Sequence, residues 1–288
     1  MFPPGFAHKK GVTHGQEESK KGGKEKSGEK EGRQEIQKEI LLLPLERREP
    51  VAREKNSRAA GAFLRDPLSM TPPQFTQHPI LFEDKDLLAI SKPEGVLSHP
   101  NPGSKGEHTA FEGPYDPQRR CFKTPAGELW LLHRLDQDTS GVLLAVKSTR
   151  AAEICRKAFD ERRVKKHYVA LVSRRPMPPH GIWRDTLIER RSGESVRVTA
   201  VRSGAPNAFL NYKMKEFFPR LNLALLEIEL LTGKTHQIRV QASFRGHPVA
   251  GDRVYGNFTV NKELRQKLEL RRLFLHAWRL VLPHPSSG

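Results

Sequence analysis

Four ionisable side chains crowd one short segment, LLHRLDQDTSGVLLAV, in which His133, Arg134, Asp136 and Asp138 lie between two apolar runs. Polar groups at the entrance to a buried strand need a structural or a chemical explanation, because burying them without partners is costly. An ionised carboxylate is a usable nucleophile or base, and a neighbouring arginine keeps it ionised by lowering its pKa. Asp136 is therefore the first candidate for chemistry in this chain.

Other roles compete for the same aspartates. Asp136, Asp138, Ser140 and Gly141 match early positions of an EF-hand calcium loop, but Lys147 stands where that loop needs a bidentate glutamate. The two aspartates could instead hold magnesium at a phosphotransfer site, although no distinctive set of lysines and carboxylates surrounds them. An aspartate before Thr-Ser-Gly commonly caps a turn. These residues alone leave a turn cap and a catalytic carboxylate both open.

Net charge narrows the range of partners. The chain of 288 residues carries 50 Lys and Arg against 33 Asp and Glu, a net charge of +17. Residues 1–60 hold 14 Lys and Arg and ten Glu, so most of the excess lies in the remainder. A basic surplus on a folded domain favours a polyanionic partner, with nucleic acid ahead of an anionic membrane surface.

Apolar runs and cysteines indicate the compartment. No run of about 18 apolar residues could span a membrane, and the N-terminus lacks the apolar centre of a signal peptide. Two cysteines cannot make a disulfide framework. We therefore predict a cytoplasmic protein without membrane association, and we expect it to be a monomer.

Composition divides the chain at about residue 76. Residues 9–58 are mostly Lys, Glu, Gly, Gln and Arg, which cannot bury enough apolar surface to offset the entropy of ordering. We predict a disordered basic tail over residues 1–76, in which Ile40 and Leu41 belong to a short amphipathic helical turn. Residues 66–79 form a proline-rich linker into one folded domain, residues 77–288.

The folded part favours strands. ILFEDKDLLAISKP predicts a strand, a turn over residues 83–86 and a second strand, and GVLLAVKS predicts a buried strand. Later strand candidates follow at short, hairpin-like intervals, and in LNLALLEIELL the apolar phase switches, which suggests a bulge or burial on both faces. They are HYVALVS, SVRVTAVR, AFLNYKMKEFF and LNLALLEIELL.

Two helices are expected among these strands. Ser148 or Thr149 can cap the first, whose apolar stripe includes Ile154 and Cys155, and Thr235 can cap a second that ends near residue 244. Cys121 falls in a segment that looks like a polar loop. The fold class is therefore α+β, with a mixed, mostly antiparallel central sheet and flanking helices.

Beyond these local patterns, the sequence resembles the RluA family of RNA pseudouridine synthases across nearly the whole folded part. Several family motifs occur in order, and the combination makes coincidence an inadequate explanation. They are LFEDKDLLAISKPEGVLSHP (81–100), HRLDQDTSG (133–141), KKHYVALV (165–172), TGKTHQIRVQ (232–241), GHPVAGDRVYG (246–256) and LHAWRLVLPHP (275–285).

The resemblance implies isomerisation of uridine in ribosomal or transfer RNA, without cofactor or metal. It makes Asp136 the catalytic nucleophile or base, Arg239 the arginine that pairs with it, and Tyr168 the tyrosine that packs on the target base. It also makes Arg134 the side chain that fills the gap left by a flipped base. Extruding a base costs a few kcal/mol, which an inserted guanidinium and an aromatic platform can offset.

Further candidates for RNA binding come from the same motifs: His133, Lys165, Lys166, Lys234 and Gln237. We also expect Gln237 to help hold the loop around Arg239. Lys234 and Gln241 differ from the residues commoner in the family, and residues 101–129 depart most from its pattern. Since that stretch shapes access to the cleft in the family, substrate choice is the least determined property. The alternative hypothesis is an RNA-binding module in ribosome assembly that has lost catalysis.

Overall fold

A computed structural model describes residues 40–41, 75–101, 108–192 and 195–287. The predicted tail, residues 1–76, lies outside the described residues except for its last two residues and strand β1 (Ile40–Leu41), which pairs with Leu280 and Arg279. The helical turn expected at this pair is therefore wrong. Near the end of the predicted linker, Thr76 is already buried, and its hydroxyl donates to the carbonyl oxygen of Ala110 at 2.7 Å.

In the described ranges the chain forms thirteen strands and three helices. After β1 they are, in chain order, β2 (Ile80–Glu83), β3 (Leu87–Lys92), β4 (Tyr115–Asp116), β5 (Cys121–Thr124), β6 (Gly127–Leu131), β7 (Ser140–Val146), α1 (Thr149–Asp160), β8 (Lys165–Ser173), β9 (His180–Ser192), β10 (Ser195–Val201), β11 (Ala208–Phe218), β12 (Leu223–Leu230), α2 (Gln237–Phe244), α3 (Phe258–Leu268) and β13 (Leu275–Val281).

The strands form one mixed sheet in the order β10-β9-β11-β12-β8-β13-β7-β6-β5-β4, with β3 pairing β7, β2 pairing β3 and β1 pairing β13. Only β13 and β7 run parallel among the described pairs. The predicted α+β class with a mostly antiparallel sheet is confirmed. Strands β8 and β13 lie in the middle of this order, and the last four residues of β8 are buried.

Strand β7 is buried along its whole length because both of its faces are covered. Leu143 and Ala145 join one apolar cluster, whereas Val142, Leu144 and Val146 join a second cluster that includes helix α1. An unbroken apolar run is the pattern expected of a strand covered on both sides. The glycine that opens the run, Gly141, has a φ of 120°, and a Cβ atom there would lie 2.1 Å from the carbonyl oxygen of Ala277.

Helix α1 confirms the predicted cap. The Ser148 hydroxyl accepts a hydrogen bond from the Ala151 amide at the N-terminus, as an N-cap serine does. Cys155 is fully buried, as expected, but Ile154 is 38% exposed, so the apolar stripe is narrower than predicted. Cys121 is also fully buried, in β5, and the prediction of a polar loop there is wrong.

The predicted irregularity beside β12 exists, but it lies in the neighbouring strand. The register between β11 and β12 shifts between Met214 and Glu216, which pair with Leu226 and Leu225. The extra residue is therefore in β11, opposite the point where the apolar phase of β12 switches. Strand β9 and helix α3 were not predicted, since β9 carries charged side chains along much of its length.

Candidate functional site

The loop between β6 and β7 carries Asp136, and two buried side chains hold that loop in place. The Ser98 hydroxyl donates to the carbonyl oxygen of Leu135 at 2.8 Å and accepts from its amide at 2.9 Å. Asp136 also closes a turn by accepting from the Thr139 amide at 3.1 Å with its backbone carbonyl. The backbone on both sides of the Asp136 side chain is therefore fixed.

Lys92 is the second of these supports, and it is completely buried. Its ammonium group donates to the carbonyl oxygens of Pro93 at 2.8 Å, Val96 at 2.7 Å and Gln137 at 3.0 Å. Burial lowers the pKa of Lys92 to about 8, although the nearby carboxylates, with that of Asp136 the first among them, oppose this change. Three ammonium donors thus meet three carbonyls and tie the Lys-Pro turn to the Asp136 loop.

Arg239 lies in the first turn of α2 and connects two carboxylates. Its guanidinium makes a two-point ion pair with Asp252, at 2.7 Å and 2.9 Å, and its Nη1 lies 3.3 Å from Oδ2 of Asp136. Burial alone would lower the pKa of Arg239, but the hydrogen bonds and charge of Asp252, and then Asp136, raise it above its usual range. Arg239 therefore stays charged although its side chain is only 4% exposed.

Asp252 is anchored in turn. Its Oδ1 also accepts from the amides of Val254 and Tyr255, both at 2.9 Å. Burial would raise the pKa of Asp252, yet the bonds and charge of Arg239 and the two amides hold it below its usual range. The Asp136 side chain is 20% exposed, whereas that of Asp252 is 1% exposed. Of the two carboxylates paired with Arg239, Asp136 is the one within reach of a substrate.

Tyr168 comes from the middle of the sheet, in β8, and is buried next to this group. Burial and then the negative charge of Asp136 raise the pKa of Tyr168. Its phenol is therefore neutral at neutral pH and can present a ring face or a donor hydroxyl to a bound group.

His236 lies at the start of α2 with a left-handed backbone, φ 53°, and its side chain does not cap the helix. The N-cap position of α2 is thus His236, and the prediction that Thr235 caps this helix is wrong. The His236 Nε2 atom is 4.0 Å from Oδ2 of Asp136, and its Nδ1 lies 2.9 Å from the hydroxyl of Tyr255. Burial lowers the pKa of His236, with the charge of Asp136 acting against it.

These side chains border a cavity of about 290 Å³, which we call the Asp136 cavity. Sequence-predicted site residues on its wall are Arg134, His133, Asp136, Lys166, Tyr168, Lys234, Gln237 and Arg239. Lys165 is the exception, since its exposed side chain is not part of this wall. Burial lowers the pKa of Lys166, while Arg134 is exposed at the mouth.

Gln237 lines the cavity but uses its amide on the protein. Its Oε1 accepts from the Thr232 hydroxyl and the Lys234 amide, and its Nε2 donates to the Phe209 carbonyl and to Gln241. These bonds fill both acceptor and both donor positions of the amide. The Gln237 amide therefore holds the loop before Arg239, as predicted, whereas its contact with RNA stays a prediction.

His133 lies in the wall of the Asp136 cavity, where contacts with the protein hold its ring. Its Nε2 accepts a hydrogen bond from the amide of Leu144 at 3.1 Å, and its ring stacks on Phe159. Burial, followed by the charge of Lys166, lowers the pKa of His133 to about 3. The imidazole is thus neutral at physiological pH and contributes ring surface rather than charge.

We expect the pH dependence of stability to report this environment. The pKa of His133 is about 3 in the folded protein and about 6.5 in the unfolded chain. Between pH 6.5 and pH 3 the unfolded chain therefore binds a proton that the folded protein does not. The free energy of unfolding should fall as the pH drops through this range. His133→Gln can keep the acceptor and should flatten this loss in urea titrations between pH 7 and 4. His180→Gln, at an exposed position, is the control. Equal slopes for His133→Gln and the original protein would contradict the buried neutral imidazole.

The calcium-loop alternative does not fit this geometry. The Ser140 hydroxyl lies 2.9 Å from Nδ1 of His276 and accepts from Arg272 at 3.0 Å, while Asp136 pairs with Arg239. Among the described residues, no group of three or more His, Cys, Asp or Glu side chains is placed to hold a metal ion. No described helix is long and apolar enough to cross a membrane.

Sequence reasoning did not assign a role to Asp252, Lys92 or Tyr255. Asp252 and Tyr255 lie in the segment GDRVYG, and Lys92 lies in the segment SKPEG, both inside quoted motifs. Lys92 and Asp252 are charged residues that lie next to glycine turns and apolar segments. This position could have indicated a buried charge that needs a partner.

A protein-family model described as RNA pseudouridylate synthase matches residues 86–244, more than half of the chain. A Mycobacterium bovis protein described as an uncharacterized RNA pseudouridine synthase is 35% identical over 77% of this chain and 70% of its own length. This chain belongs to the RluA family of RNA pseudouridine synthases.

Other relatives in the family agree. Ribosomal large subunit pseudouridine synthase D of Nitrosomonas europaea is 37% identical over 73% of this chain, which spans 59% of that relative's length. The solved structure of human RNA Pseudouridylate Synthase Domain Containing 1 superposes with a TM-score of 0.55 at 26% identity, over 75% of this chain and 82% of that one. The predicted resemblance and fold class are therefore confirmed.

Proposed function

We propose that this protein isomerises uridine in RNA to pseudouridine, with Asp136 as the nucleophile or base. The observation that carries the proposal is the meeting of Asp136, Tyr168 and Arg239 at one cavity, although Asp136 and Arg239 are 103 positions apart in sequence. In this site Asp252 holds the charged Arg239 against the partly exposed Asp136. An RNA-binding module without catalysis would not need this arrangement.

The chemistry needs no net oxidation or reduction, because uridine and pseudouridine are isomers. The bond from the ribose carbon to N1 of the base breaks, a bond from the same carbon to C5 forms, the C5 hydrogen leaves as a proton, and N1 takes up a proton. Arg239 orients the Asp136 carboxylate for its attack, and Tyr168 packs against the base as it turns. No cofactor or metal enters this proposal.

Ribosomal RNA is the first substrate class to test, because the Nitrosomonas relative is named for the large ribosomal subunit. Transfer RNA is the second. We further propose a monomeric, cytoplasmic enzyme, formed by a catalytic domain of residues 77–288 that follows a basic tail, with Lys165, Lys166 and Lys234 facing RNA phosphates. Such contacts release counterions and give sequence-independent affinity that falls steeply with salt.

The direct test is to incubate the protein with unmodified ribosomal and transfer RNA transcripts, digest the RNA and separate the nucleosides by chromatography. A pseudouridine peak that grows with time, with an equal loss of uridine, is the expected result. RNA that binds the protein but gains no pseudouridine in either class would contradict the proposed activity.

Arg134→Ala should separate base extrusion from chemistry. Arg134 is exposed at the mouth of the Asp136 cavity, where its guanidinium can replace a flipped base in the stack. Since extrusion from a helix costs a few kcal/mol, we expect kcat/KM on a hairpin substrate to fall about 10- to 100-fold. On an unpaired oligonucleotide it should fall less than about threefold. Arg150→Ala, on the exposed start of α1, is the matched control, and equal losses of kcat/KM on both RNAs would refute the gap-filling role.

A further inference from the structure

A second cavity opens beside the Asp136 cavity, and the two share part of a wall. This Tyr115 cavity has a volume of about 580 Å³ and is bordered by His99, Tyr115, Arg120, Leu131 and Arg134, among others. Leu132, His133 and Arg134 line both cavities. Its volume falls within the roughly 300–1,000 Å³ of small-molecule sites.

One wall of the Tyr115 cavity is a fixed aromatic pair. The rings of His99 and Tyr115 stack with centroids 5.0 Å apart and an interplanar angle of 9°, and Tyr115 packs against Phe122 at 4.8 Å. The His99 Nδ1 atom lies 2.9 Å from the carbonyl oxygen of Pro100, which fixes the ring. A rigid aromatic surface of this kind is a platform on which a base can stack.

The charged groups of the cavity are two arginines. Neither Arg120 nor Arg134 makes a side-chain hydrogen bond or ion pair with a residue that the structure describes, and no carboxylate is among the residues that line the cavity. Burial raises the pKa of the Tyr115 hydroxyl, and the positive charges of Arg120 and Arg134 act against that rise, so both guanidinium groups lie near this ring. The Arg120 backbone is held because its carbonyl accepts from the Leu131 amide at 2.8 Å.

We propose that the Tyr115 cavity binds a second, unstacked nucleotide of the same RNA, preferring guanine, while the target uridine occupies the Asp136 cavity. This inference rests on the proposed function. Arg134 borders both cavities. If its side chain inserts between two neighbouring nucleotides of the RNA, one base can enter the Asp136 cavity and the other the Tyr115 cavity. Guanine fits best because its O6 and N7 atoms are paired acceptors for the arginine fork. Tyr115 and Arg120 come from the least family-like stretch of the chain and thereby supply a specificity site.

The test is a library of RNAs in which a uridine, in a hairpin loop or an unpaired segment, is flanked by three randomised nucleotides on each side. Products that contain pseudouridine are sequenced after turnover by the original protein, Arg120→Ala, Tyr115→Leu and the control Lys123→Ala. Lys123 is an exposed cation on β5 that does not border the cavity. RNA retained by Asp136→Asn protein, with and without Arg120→Ala, is sequenced in parallel as a readout of binding alone.

The original protein and Lys123→Ala should favour guanine about tenfold at one flanking position, the discrimination typical of a two-point arginine contact. Arg120→Ala and Tyr115→Leu should reduce this preference below about twofold while pseudouridine still forms. A flat profile in the original protein, or one unchanged in Arg120→Ala, would overturn the second site and leave the synthase activity intact. Absence of pseudouridine together with a guanine preference in the retained RNA would instead refute the activity and keep the site.

Discussion

Asp136→Asn is expected to lower the single-turnover rate of pseudouridine formation by at least about 1,000-fold, the scale of loss seen when an enzyme loses its covalent nucleophile. The amide keeps the size of the carboxylate but has neither the charge to attack nor the capacity to take a proton. Rates measured with excess enzyme on a hairpin RNA separate this loss from any change in binding or product release.

Folding and RNA affinity should survive this change. Asp252 remains as the two-point partner of Arg239, so Asp136→Asn leaves no buried cation unpaired. The affinity for RNA, measured by fluorescence anisotropy at fixed salt, should stay within about threefold, and the free energy of unfolding within about 1 kcal/mol, the usual value of a partly exposed ion pair. A parallel loss of rate, affinity and stability would show that Asp136 is a structural turn residue.

Asp252→Asn is expected to damage both stability and activity, because Asp252 holds the arginine that serves Asp136. The Arg239 guanidinium would then be buried with only the 3.3 Å contact to Asp136 as an ionic partner. Removing one member of a buried ion pair typically costs about 3–5 kcal/mol, and we expect that loss in urea unfolding. The remaining folded protein should also turn over at least about tenfold more slowly, since Arg239 is no longer oriented.

A matched control separates these two effects. Asp185 is also a buried carboxylate, and it holds α2 and the residue after it. It accepts from Gln241 at 2.7 Å and pairs with Arg245 at 2.8 Å, but it does not border the Asp136 cavity. Asp185→Asn should lose stability while its folded fraction keeps the original rate. If Asp252→Asn and Asp185→Asn have the same turnover rate per folded molecule, the orientation of Arg239 by Asp252 does not contribute to the rate.

Sequence patterns predicted most of the strands near the site, because the order of apolar and polar residues along a strand reflects which of its faces are buried. The run at residues 141–146 is apolar without interruption, and the structure buries strand β7 there on both faces. Likewise, the segment AFLNYKMKEFF coincides with β11. Local burial patterns do not encode which strands become neighbours, so the sheet order and the central place of β8 and β13 emerge only in three dimensions.

The proposed catalytic trio of Asp136, Tyr168 and Arg239 came from the sequence only through the family resemblance. Nothing in local spacing joins Asp136 to Arg239, and from residues alone a turn cap remained open for the aspartates. The supports around them were not found, because their roles depend on contacts made on folding. Lys92 meets Gln137 across 45 positions, and Asp252 meets Arg239 only when the chain returns against α2. Gln237 holds the loop before Arg239 through its bonds to Thr232 and Lys234, which is the supporting role that the sequence predicted for it.

The central claim is tested most directly by tritium release from RNA labelled at C5 of uridine, measured alongside the pseudouridine formed by the intact protein. Forming the new carbon bond must expel the C5 hydrogen, so we predict one tritium released for each pseudouridine formed on ribosomal or transfer RNA, and none with Asp136→Asn. Salt-sensitive RNA binding without tritium release on either RNA class, or release that persists in Asp136→Asn, would contradict the account.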